Sequence, residues 1–460
     1  MERVLPEELL NKLVTIRGFN KPSFEEVHNN AQPITSIRFN VNKYEHFQHS
    51  PVITHPQYNL NERVPWCDYG FYLNERPQFT FDPLLHAGAY YVQEASSMFL
   101  WTVLKQLFER ASNIKVLDLC AAPGGKTTLL ASYFNNALIV SNEVIKTRAN
   151  ILYENVTKWG SENVVVTNND AADFSRLKNF FDLIVIDAPC SGSGLFRKDE
   201  GAIDEWSENN VRLCSQRQQR IIADVYSSLK HDGILIYSTC SYSQEEDEDI
   251  TDWMKENFNV ESLKLNVEDG WNIDETISPI HKCYGYRFWP HKVKGEGFFI
   301  CALQKNESVA FTKSNTQTLL SATKKEITLV EQFVAGNNLF LFKQHDFIRV
   351  IQKQWSNDIA LLQKNLYLKK AGINLGEIKG TDFVPHHELA LSTIFNNNIS
   401  SNELDEEQAL QYLRKKDVLI QSVHKGWSLC TYKNFPLGWI KILHNRVNNY
   451  YPTEWRIRKE

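Results

Sequence analysis

The chain lacks several features that would define its class at once. No uninterrupted apolar run in its 460 residues approaches the roughly 18 residues that a membrane-spanning helix needs. Its eight cysteines form no C-x-x-C pair and no cysteine–histidine spacing typical of zinc ligands. The N-terminus carries acidic residues, unlike a secretory signal peptide. We therefore expect a cytoplasmic protein with reduced thiols, no metal and no membrane contact.

The composition that remains is that of a soluble globular protein, with 42% hydrophobic and 23% charged residues. The length favours two or three domains. The net charge of −5 is unevenly spread, because residues 301–460 hold 21 Lys+Arg against 15 Asp+Glu, a net +6, which leaves −11 for residues 1–300. The basic C-terminal third favours contact with a polyanion, although a solvated surface gives the same count.

Short apolar strands alternate with helical stretches between about residues 113 and 304, which predicts an α/β fold with a doubly wound parallel sheet. The predicted strands are rich in Val, Ile and Leu and lie at 115–120, 138–143, 164–168, 183–187, 234–239 and 298–303. Ligands of such sheets bind beyond the carboxyl ends of the strands.

Three domains are predicted around this sheet. Residues 1–80 form a small N-terminal α+β domain, residues 81–305 contain the sheet, and residues 306–460 form a C-terminal region. The polar segment 305–325 has the composition of a linker.

The stretch from Val116 to Thr128 predicts a strand, a loop of small residues and the start of a helix. Small side chains let backbone N–H groups approach a ligand, and a helix N-terminus favours a carboxylate. Cys120 stands where a phosphate-binding loop needs its first glycine, and the dinucleotide pattern G-x-G-x-x-G is absent.

Two acidic residues follow at the ends of the next strands. A carboxylate at Glu143 is placed to accept both ribose hydroxyls of a nucleoside, and Asp170 is placed to accept the adenine amino group. With the loop, they describe S-adenosylmethionine as the ligand. Either acid alone is equally well explained as a cap of the loop that follows it.

Two cysteines end neighbouring strands of the same sheet, Cys190 in DAPCSGSG and Cys240 in YSTCS. Structural cysteines prefer element interiors, so this placement favours a chemical role. Carbon 5 of cytosine is a poor nucleophile and accepts a methyl group only after a thiolate has added at carbon 6. Asp187 is placed to hold the base edge and to donate a proton near N3 if its pKa is raised. The second cysteine would assist expulsion of the first.

An acidic run, Glu245 to Asp249, suggests a metal site. Ser243 and Glu246 have the spacing of a capping box, and acids in a first helical turn complement the helix dipole. We therefore interpret the run as a helix start.

At these motifs the chain resembles the RNA 5-methylcytosine methyltransferase family, the NOL/NOP/Sun group, and within it the bacterial RsmF-like branch that acts on small-subunit rRNA. The resemblance spans nearly the whole chain and rests on 36–40, 64–67, 91–98, the loop at 116–128, 187–192, 238–241 and 295–299.

The resemblance implies a Rossmann-like class I methyltransferase sheet that uses S-adenosylmethionine to methylate carbon 5 of a cytosine in 16S rRNA, within a small ribosomal subunit or its precursor. It implies that Cys240 is the nucleophile and that Cys190 assists release. DNA cytosine methyltransferases attack with the proline–cysteine motif, so Cys190 remains the rival nucleophile. Contacts to the donor or the base are implied for Cys120, Ala121, Ala122, Pro123, Gly124, Gly125, Lys126, Glu143, Asp170 and Asp187.

The resemblance continues through 375–379, 383–390 and 435–441 and implies a C-terminal PUA-like β-barrel that binds RNA. There the basic residues Lys441, Arg446 and Arg456 lie among aromatic ones, which favours phosphate contacts and base stacking. Any single ring is equally explained as barrel core. The neighbouring pair His386 and His387 is expected to lie at the surface or to cap a helix.

Arg38, in the N-terminal domain, is predicted to help hold the RNA strand from which the target base is displaced. Ser193 and Ser241 depart mildly from the family pattern, and we expect neither to affect the chemistry.

Two further functions compete with this one. The first is a tRNA or DNA cytosine methyltransferase with the same active site. The second is an RNA-binding assembly factor whose fold is catalytically idle, against which the two cysteines, the loop and Glu143 argue. We expect a monomer. Because the C-terminal third is basic, we also expect truncation after about Gln304 to weaken RNA binding while donor binding is kept.

Overall fold

The computed structural model describes residues 4–459 apart from 31, 33, 48–57, 59, 61, 111–112, 308–317 and 421–423. The centre of the predicted linker, 308–317, lies outside these described residues. Within them, no helix is long and apolar enough to cross a membrane.

The N-terminal unit contains four helices and three strands: α1 (Glu7–Leu13), α2 (Lys21–Asn30), β1 (Thr35–Phe39), α3 (Val41–Phe47), β2 (Gly70–Leu73), α4 (Pro83–His86) and β3 (Tyr90–Val92). The strands form an antiparallel sheet in the order β2–β1–β3. Because β3 pairs with β1, the unit extends past the boundary predicted at residue 80.

The central unit begins with α5 (Leu100–Leu107) and continues with β4 (Lys115–Asp118), α6 (Gly125–Tyr133), β5 (Leu138–Asn142), α7 (Lys146–Trp159), β6 (Val164–Thr167), β7 (Phe181–Asp187), α8 (Gly201–Glu205), α9 (Glu208–Tyr226), β8 (Leu229–Thr239), α10 (Glu248–Asn257), β9 (Val260–Ser262), β10 (Asp274–Ile277), β11 (Tyr284–Phe288) and β12 (Phe298–Lys305). Strands β8, β7, β4, β5 and β6 lie side by side and parallel, and β12 runs antiparallel beside β8. Each strand predicted from the sequence is present.

Both faces of this sheet are buried, because alternate residues along its strands contribute to two different hydrophobic clusters. Val116 and Ile139 belong to one cluster, and their chain neighbours Leu117 and Leu138 belong to the other. Burial on both faces explains the nearly continuous Val, Ile and Leu of the strands. The sheet order reverses at β4, so the carboxyl ends of β4, β5, β7 and β8 surround a crevice.

The C-terminal region contains α11 (Lys324–Val330), β13 (Leu339–Gln344), β14 (Phe347–Gln352), α12 (Ser356–Asn365), β15 (Leu368–Ala371), β16 (Ile373–Lys379), β17 (Asp382–Pro385), α13 (His387–Leu391), β18 (Ser401–Glu403), α14 (Glu406–Leu413), β19 (Gly426–Tyr432), β20 (Phe435–Ile442) and β21 (Val447–Asn449). Two four-stranded sheets form in it, β13–β14–β16–β17 and β18–β19–β20–β21. Strand β15 leaves them and pairs with β6 of the central sheet.

The N- and C-terminal units share a hydrophobic core. Phe39, Tyr44 and Phe435 belong to one cluster, and the rings of Tyr44 and Phe435 meet edge to face with centroids 5.0 Å apart. Beside this core, Lys43 is fully buried and donates hydrogen bonds to the carbonyl oxygens of Ala87 and Lys158, at 2.5 and 2.6 Å. Burial lowers the pKa of Lys43 to about 7. The three units therefore pack as neighbours around one junction.

Candidate active site

The loop between β4 and α6 is fixed by its own backbone and by α7. Gly124 has φ +117°, a left-handed conformation that glycine adopts without strain. From α7, Arg148 and Asn155 donate hydrogen bonds of 2.8 Å to the carbonyl oxygens of Ala122 and Pro123. The small-residue loop predicted from the sequence is thus held in one conformation at the carboxyl edge of the sheet.

Asp118 ends β4 and is fully buried beneath this loop. One carboxyl oxygen accepts a 2.6 Å hydrogen bond from the hydroxyl of Thr127, whereas Oδ1 has no hydrogen-bond partner among the described residues. Burial raises the pKa of Asp118 to about 7. No role was predicted for Asp118 from the sequence, although its position at the end of the first parallel strand is a signal for one.

Two connected cavities open at this edge of the sheet. The first, of about 470 Å³, is lined by Glu143 and Asp170, and the second, of about 420 Å³, by Asp118 and Lys126. Residues that line both cavities stand where the two meet: Cys120, Ala122, Arg148, Asp187, Leu195 and Cys240.

Glu143 and Asp170 both cap the segments that follow them, and both line a cavity in which the predicted donor contacts would be made. Glu143 is buried, accepts a 2.9 Å hydrogen bond from the backbone N–H of Ile145 and lies 3.3 Å from the guanidinium of Arg148. Asp170 accepts a 3.1 Å hydrogen bond from the N–H of Ala172. Each acid caps the segment after it and also lines the first cavity.

Cys190 and Cys240 come together at the junction of the cavities. Their sulfur atoms lie 3.1 Å apart, although the residues belong to loops that follow different strands. The hydrogen bond with Cys240 and burial are the main causes that raise the pKa of Cys190 well above its usual value. Cys190 is therefore a thiol at neutral pH.

Asp187 lies beside this pair and is part of a charged contact. Its Oδ1 is 2.7 Å from the ammonium of Lys126 and accepts a 3.0 Å hydrogen bond from the hydroxyl of Ser238. Asp187 and Lys126 thus present an acceptor and a donor side by side at the wall of the second cavity.

The acidic run lies at a helix start, as predicted, because α10 begins at Glu248, but the predicted capping box is absent. Ser243 makes no side-chain capping bond, and Glu246, Asp247 and Glu248 are buried. Asp247 and Glu248 form ion pairs with the buried Arg287. The spacing did not reveal this arrangement, because the partners lie far away in the chain. In the described part of the chain, no three His, Cys, Asp or Glu side chains are grouped so as to hold a metal ion.

The prediction that Arg38 contacts RNA is also wrong, because Arg38 is fully buried. Its guanidinium donates hydrogen bonds to the side chains of Gln93 and Thr128, at 2.8 and 2.6 Å, and to the carbonyl of Gly125 at 3.3 Å. It also lies over the ring of Trp159, 4.7 Å from the centroid. Arg38 instead ties the N-terminal sheet to the first turn of α6.

The basic residues predicted in the C-terminal region lie at its surface. Arg446 and Arg456 are exposed, and Lys441 is half-buried with its ammonium 5.2 Å from the ring centroid of Trp427. Trp439 and Tyr451, in contrast, are buried in the core of this region.

His386 caps α13, because its Nδ1 accepts a 3.2 Å hydrogen bond from the N–H of Glu388. The capping alternative is confirmed for this residue. His387 is buried, so it does not lie at the surface.

Several residues at the second cavity were missed by the sequence analysis. Gln93, Glu94, Glu296 and Phe298 line it, and Glu94 accepts hydrogen bonds of 2.9 Å from the N–H groups of Ser96, Ser97 and Glu296. They lie in the stretches that carry the family resemblance, which is the signal that marks them.

The doubly wound sheet, with its loop and carboxylates at the carboxyl edge, defines an S-adenosylmethionine-dependent methyltransferase. Three family models match the chain: the N-terminal domain of 16S rRNA methyltransferase RsmF over residues 5–95, 16S rRNA methyltransferase RsmB/F over residues 105–304, and the methyltransferase RsmF PUA domain over residues 400–457. The last match confirms the predicted C-terminal PUA-like region.

Two relatives match most of the chain. Ribosomal RNA small subunit methyltransferase F of Psychromonas ingrahamii is 33% identical over 418 residues, which cover 85% of this chain and 84% of the relative. The protein of the same name from Aliivibrio fischeri is 30% identical and covers 91% of this chain and 90% of its own length. The chain therefore belongs to the ribosomal RNA small subunit methyltransferase F family, as the resemblance indicates.

Two solved structures share the fold of the chain. A methyltransferase homolog protein from Pyrococcus horikoshii has a TM-score of 0.52 and 28% identity, and the match covers 65% of this chain and 100% of that one. NSun6 from Pyrococcus horikoshii, solved with SFG, has a TM-score of 0.52 and 19% identity over 67% of this chain and 100% of that one, and it shares the fold.

Proposed function

We propose that the chain methylates carbon 5 of a cytosine in 16S rRNA, within a small ribosomal subunit or its precursor, and that it acts in the cytoplasm as a monomer. The observation that carries this proposal is the pair of sulfur atoms 3.1 Å apart at the junction of two cavities. The first cavity and the adjoining loop between β4 and α6 suit the donor, and the part of the second cavity beside Cys240 suits a base. The family names of the relatives support rRNA as the substrate.

The residues of the first cavity, together with Asp118 and the loop between β4 and α6, which line the second cavity where the two meet, fit S-adenosylmethionine, which supplies the methyl group. Glu143 is suited to the ribose hydroxyls, Asp170 to the adenine amino group, and the loop from Cys120 to Lys126 to the carboxylate at the N-terminus of α6. The buried Oδ1 of Asp118, an acceptor with no partner in the described chain, suits the ammonium of the donor.

Cys240 acts as the nucleophile in this proposal, and Cys190 acts as a thiol that assists release. The family resemblance supports this division, because it implies that the cysteine of the fifth-strand motif is the one that attacks as a thiolate. Cys240 forms a bond to carbon 6 of the cytosine, which makes carbon 5 nucleophilic. After methylation, carbon 5 loses its proton and the bond between Cys240 and carbon 6 breaks, which returns a thiolate.

Lys126 and Asp187 hold the edge of the base. Asp187 was predicted from the sequence to be the proton donor near N3. The contact of 2.7 Å between the two side chains offers Lys126 as the N–H donor beside it, with Asp187 as the acceptor. The exposed Arg446 and Arg456, together with Lys441, are proposed to contact RNA phosphates.

Methyl transfer tests the proposal directly. The purified chain is incubated with labelled S-adenosylmethionine and with small ribosomal subunits, free 16S rRNA, tRNA or DNA. We expect label on a cytosine of 16S rRNA. If only tRNA or DNA is labelled, that nucleic acid is the substrate and 16S rRNA is not. If none of them is labelled, the enzyme function is contradicted.

Cysteine variants test the two roles. We expect Cys240→Ala to abolish transfer, and Cys190→Ala to accumulate a covalent protein–RNA adduct that survives a denaturing gel, because release is impaired. Cys301→Ser, a buried cysteine of β12, is the control for general loss of a thiol. The reverse pattern of adducts would make Cys190 the nucleophile.

A further inference from the structure

We propose that Glu246 is a positioning residue for the two cysteine loops, which follow β7 and β8 and contain Cys190 and Cys240. Its carboxylate holds these loops at a fixed distance from each other, so that both cysteines face one base. The inference deepens the proposed function and rests on it for its catalytic part. It concerns a residue of the acidic run, to which the sequence assigned only a capping role.

Glu246 is fully buried and connects both loops directly. Its Oε1 accepts hydrogen bonds from the backbone N–H of Ser191 at 2.8 Å and from Gln218 at 3.1 Å. Its Oε2 accepts hydrogen bonds from the hydroxyls of Ser191 at 2.5 Å and Ser241 at 2.7 Å. Ser191 follows Cys190 in the chain and Ser241 follows Cys240, so one carboxylate fixes the neighbour of each cysteine.

The two loops also contact each other directly. The N–H of Gly194 donates a 2.7 Å hydrogen bond to the carbonyl of Cys240, and the N–H of Tyr242 donates a 2.9 Å bond to the hydroxyl of Ser193. A Cβ at Gly194 would lie 2.4 Å from the carbonyl oxygen of Cys240, so only glycine allows this approach. The expectation that Ser193 and Ser241 have no bearing on the site is therefore replaced by a positioning role for both.

A carboxylate suits this position better than any other side chain. Every group that faces it is a donor or carries one, and an ionised carboxylate has acceptor sites on both oxygens. A glutamine of the same size would point its NH₂ group either at the N–H of Ser191, which cannot accept and would be left buried without a partner, or at the two serine hydroxyls, which would have to turn and accept instead of donating. Leaving a buried polar group unpaired costs about 1–3 kcal/mol, and the least costly response is for one loop to move away.

The charge of Glu246 adds a second effect on the pair. It contributes to the raised pKa of Cys190 and favours the thiol form of that residue. Burial raises the pKa of Glu246 itself, and the hydrogen bonds from Ser191 and Ser241 oppose this shift. The carboxylate therefore depends on both loops for its ionised form, and both loops depend on it for their position.

Glu246→Gln tests the proposal, with Glu245→Gln as the control. Glu245 is the preceding residue and bonds only to Lys12 among the described side chains, so its variant makes the same chemical change outside the cysteine loops. We expect Glu246→Gln to lower kcat by roughly 10- to 100-fold, the range for a displaced catalytic group, with unchanged donor affinity. Glu245→Gln is expected to match the parent chain.

Phenylarsine oxide binds two thiols at once when they are adjacent. Its affinity therefore measures whether the thiols of Cys190 and Cys240 are close together, independently of methyl transfer. We expect it to bind the parent chain and Glu245→Gln, to bind Glu246→Gln several-fold more weakly, and to bind Cys190→Ala as a monothiol. A folded Glu246→Gln chain with unchanged kcat and unchanged arsenical binding would overturn the proposal. If the parent chain transfers no methyl group, the proposed function fails, whereas arsenical binding still decides the role of Glu246.

A variant that fails to fold does not end the test, because Ser191→Ala and Ser241→Ala each remove part of the same contact. We expect each to weaken arsenical binding and lower kcat, by less than Glu246→Gln. If both serine variants match the parent chain in both measurements, the proposal is overturned.

Discussion

A single buried carboxyl, that of Asp118, is expected to make the stability of the folded chain depend on pH. This carboxyl is enclosed beneath the donor loop, which raises its pKa to about 7 from an ordinary value near 3.8. The folded chain therefore binds a proton between these two values that the unfolded chain releases. The contribution of the protonated form to stability is complete below about pH 4 and is lost as the pH rises through 7.

Asp118→Asn is expected to remove this dependence. Each unit of pKa difference corresponds to about 1.4 kcal/mol, so the parent chain loses on the order of 4 kcal/mol between these pH values and the variant does not. Thermal unfolding at pH 4 and pH 8 measures the effect. We expect the Tm of the variant relative to the parent to rise with pH, and a constant difference would contradict the burial argument.

The sequence placed the two cysteines and the acids Glu143 and Asp170 correctly at the edge of the sheet, because each ends a predicted strand. It failed for Arg38 and Glu246. Their burial depends on partners that are distant in the chain: Arg38 bonds to Thr128, and Glu246 bonds to Ser191. A local sequence pattern contains only the neighbours of a charged residue in the chain. The burial of that residue depends on distant segments that pack against it in the folded protein.

At the scale of elements, periodicity predicted the strands of the central sheet well, because strands buried on both faces leave an apolar run that is hard to mistake. The position of β15 was not predictable in the same way. It leaves the C-terminal region to pair with β6, and short strands of mixed character give no signal of their partner.

Arg38 links two elements, β1 and α6, and its variant tests this link. Arg38→Met removes the hydrogen bonds to Gly125 and Thr128 at the first turn of α6, where the donor carboxylate is proposed to bind. We expect a lower Tm and donor affinity reduced roughly 10-fold, since charged hydrogen bonds contribute about 1.5–3 kcal/mol each. Calorimetric titration with S-adenosylmethionine measures the affinity.

Arg76→Met is the matched control, because Arg76 is an exposed arginine of the same unit that lies over a single ring, Phe79. We expect it to bind the donor like the parent chain. Equal donor affinity in both variants would show that Arg38 does not support the loop.

At the scale of the whole molecule, the C-terminal region is part of the catalytic sheet. Tyr367, just before β15, accepts a hydrogen bond at its carbonyl from Asn169 at 3.1 Å and donates one from its N–H to the same side chain at 2.9 Å. Asn169 lines the donor cavity beside Asp170. The structure therefore contradicts the expectation that a chain truncated after Gln304 keeps its donor binding.

We therefore expect a chain that ends at Gln304 to expose the edge of β6, to lose solubility and to bind S-adenosylmethionine more weakly than the full chain. Sedimentation and calorimetric titration measure these effects. A soluble truncated chain with full donor affinity would show that β15 is dispensable.

RNA binding is better tested in the full chain by replacing Lys441, Arg446 and Arg456 with alanine. Because these residues are proposed to contact phosphates, their loss is expected to reduce the salt dependence of RNA affinity.

Because Gly194 lies so close to the carbonyl of Cys240, the residue at this position in other chains of this fold indicates whether their two cysteine loops can touch. A cysteine that has lost its partner can persist as an ordinary core residue, so its presence says little about activity. The glycine is different, because it is required only while the two loops touch. A chain that retains both cysteines but has a larger residue at this position must hold these two loops farther apart, and we expect its thiols to be too far from each other to act on one base.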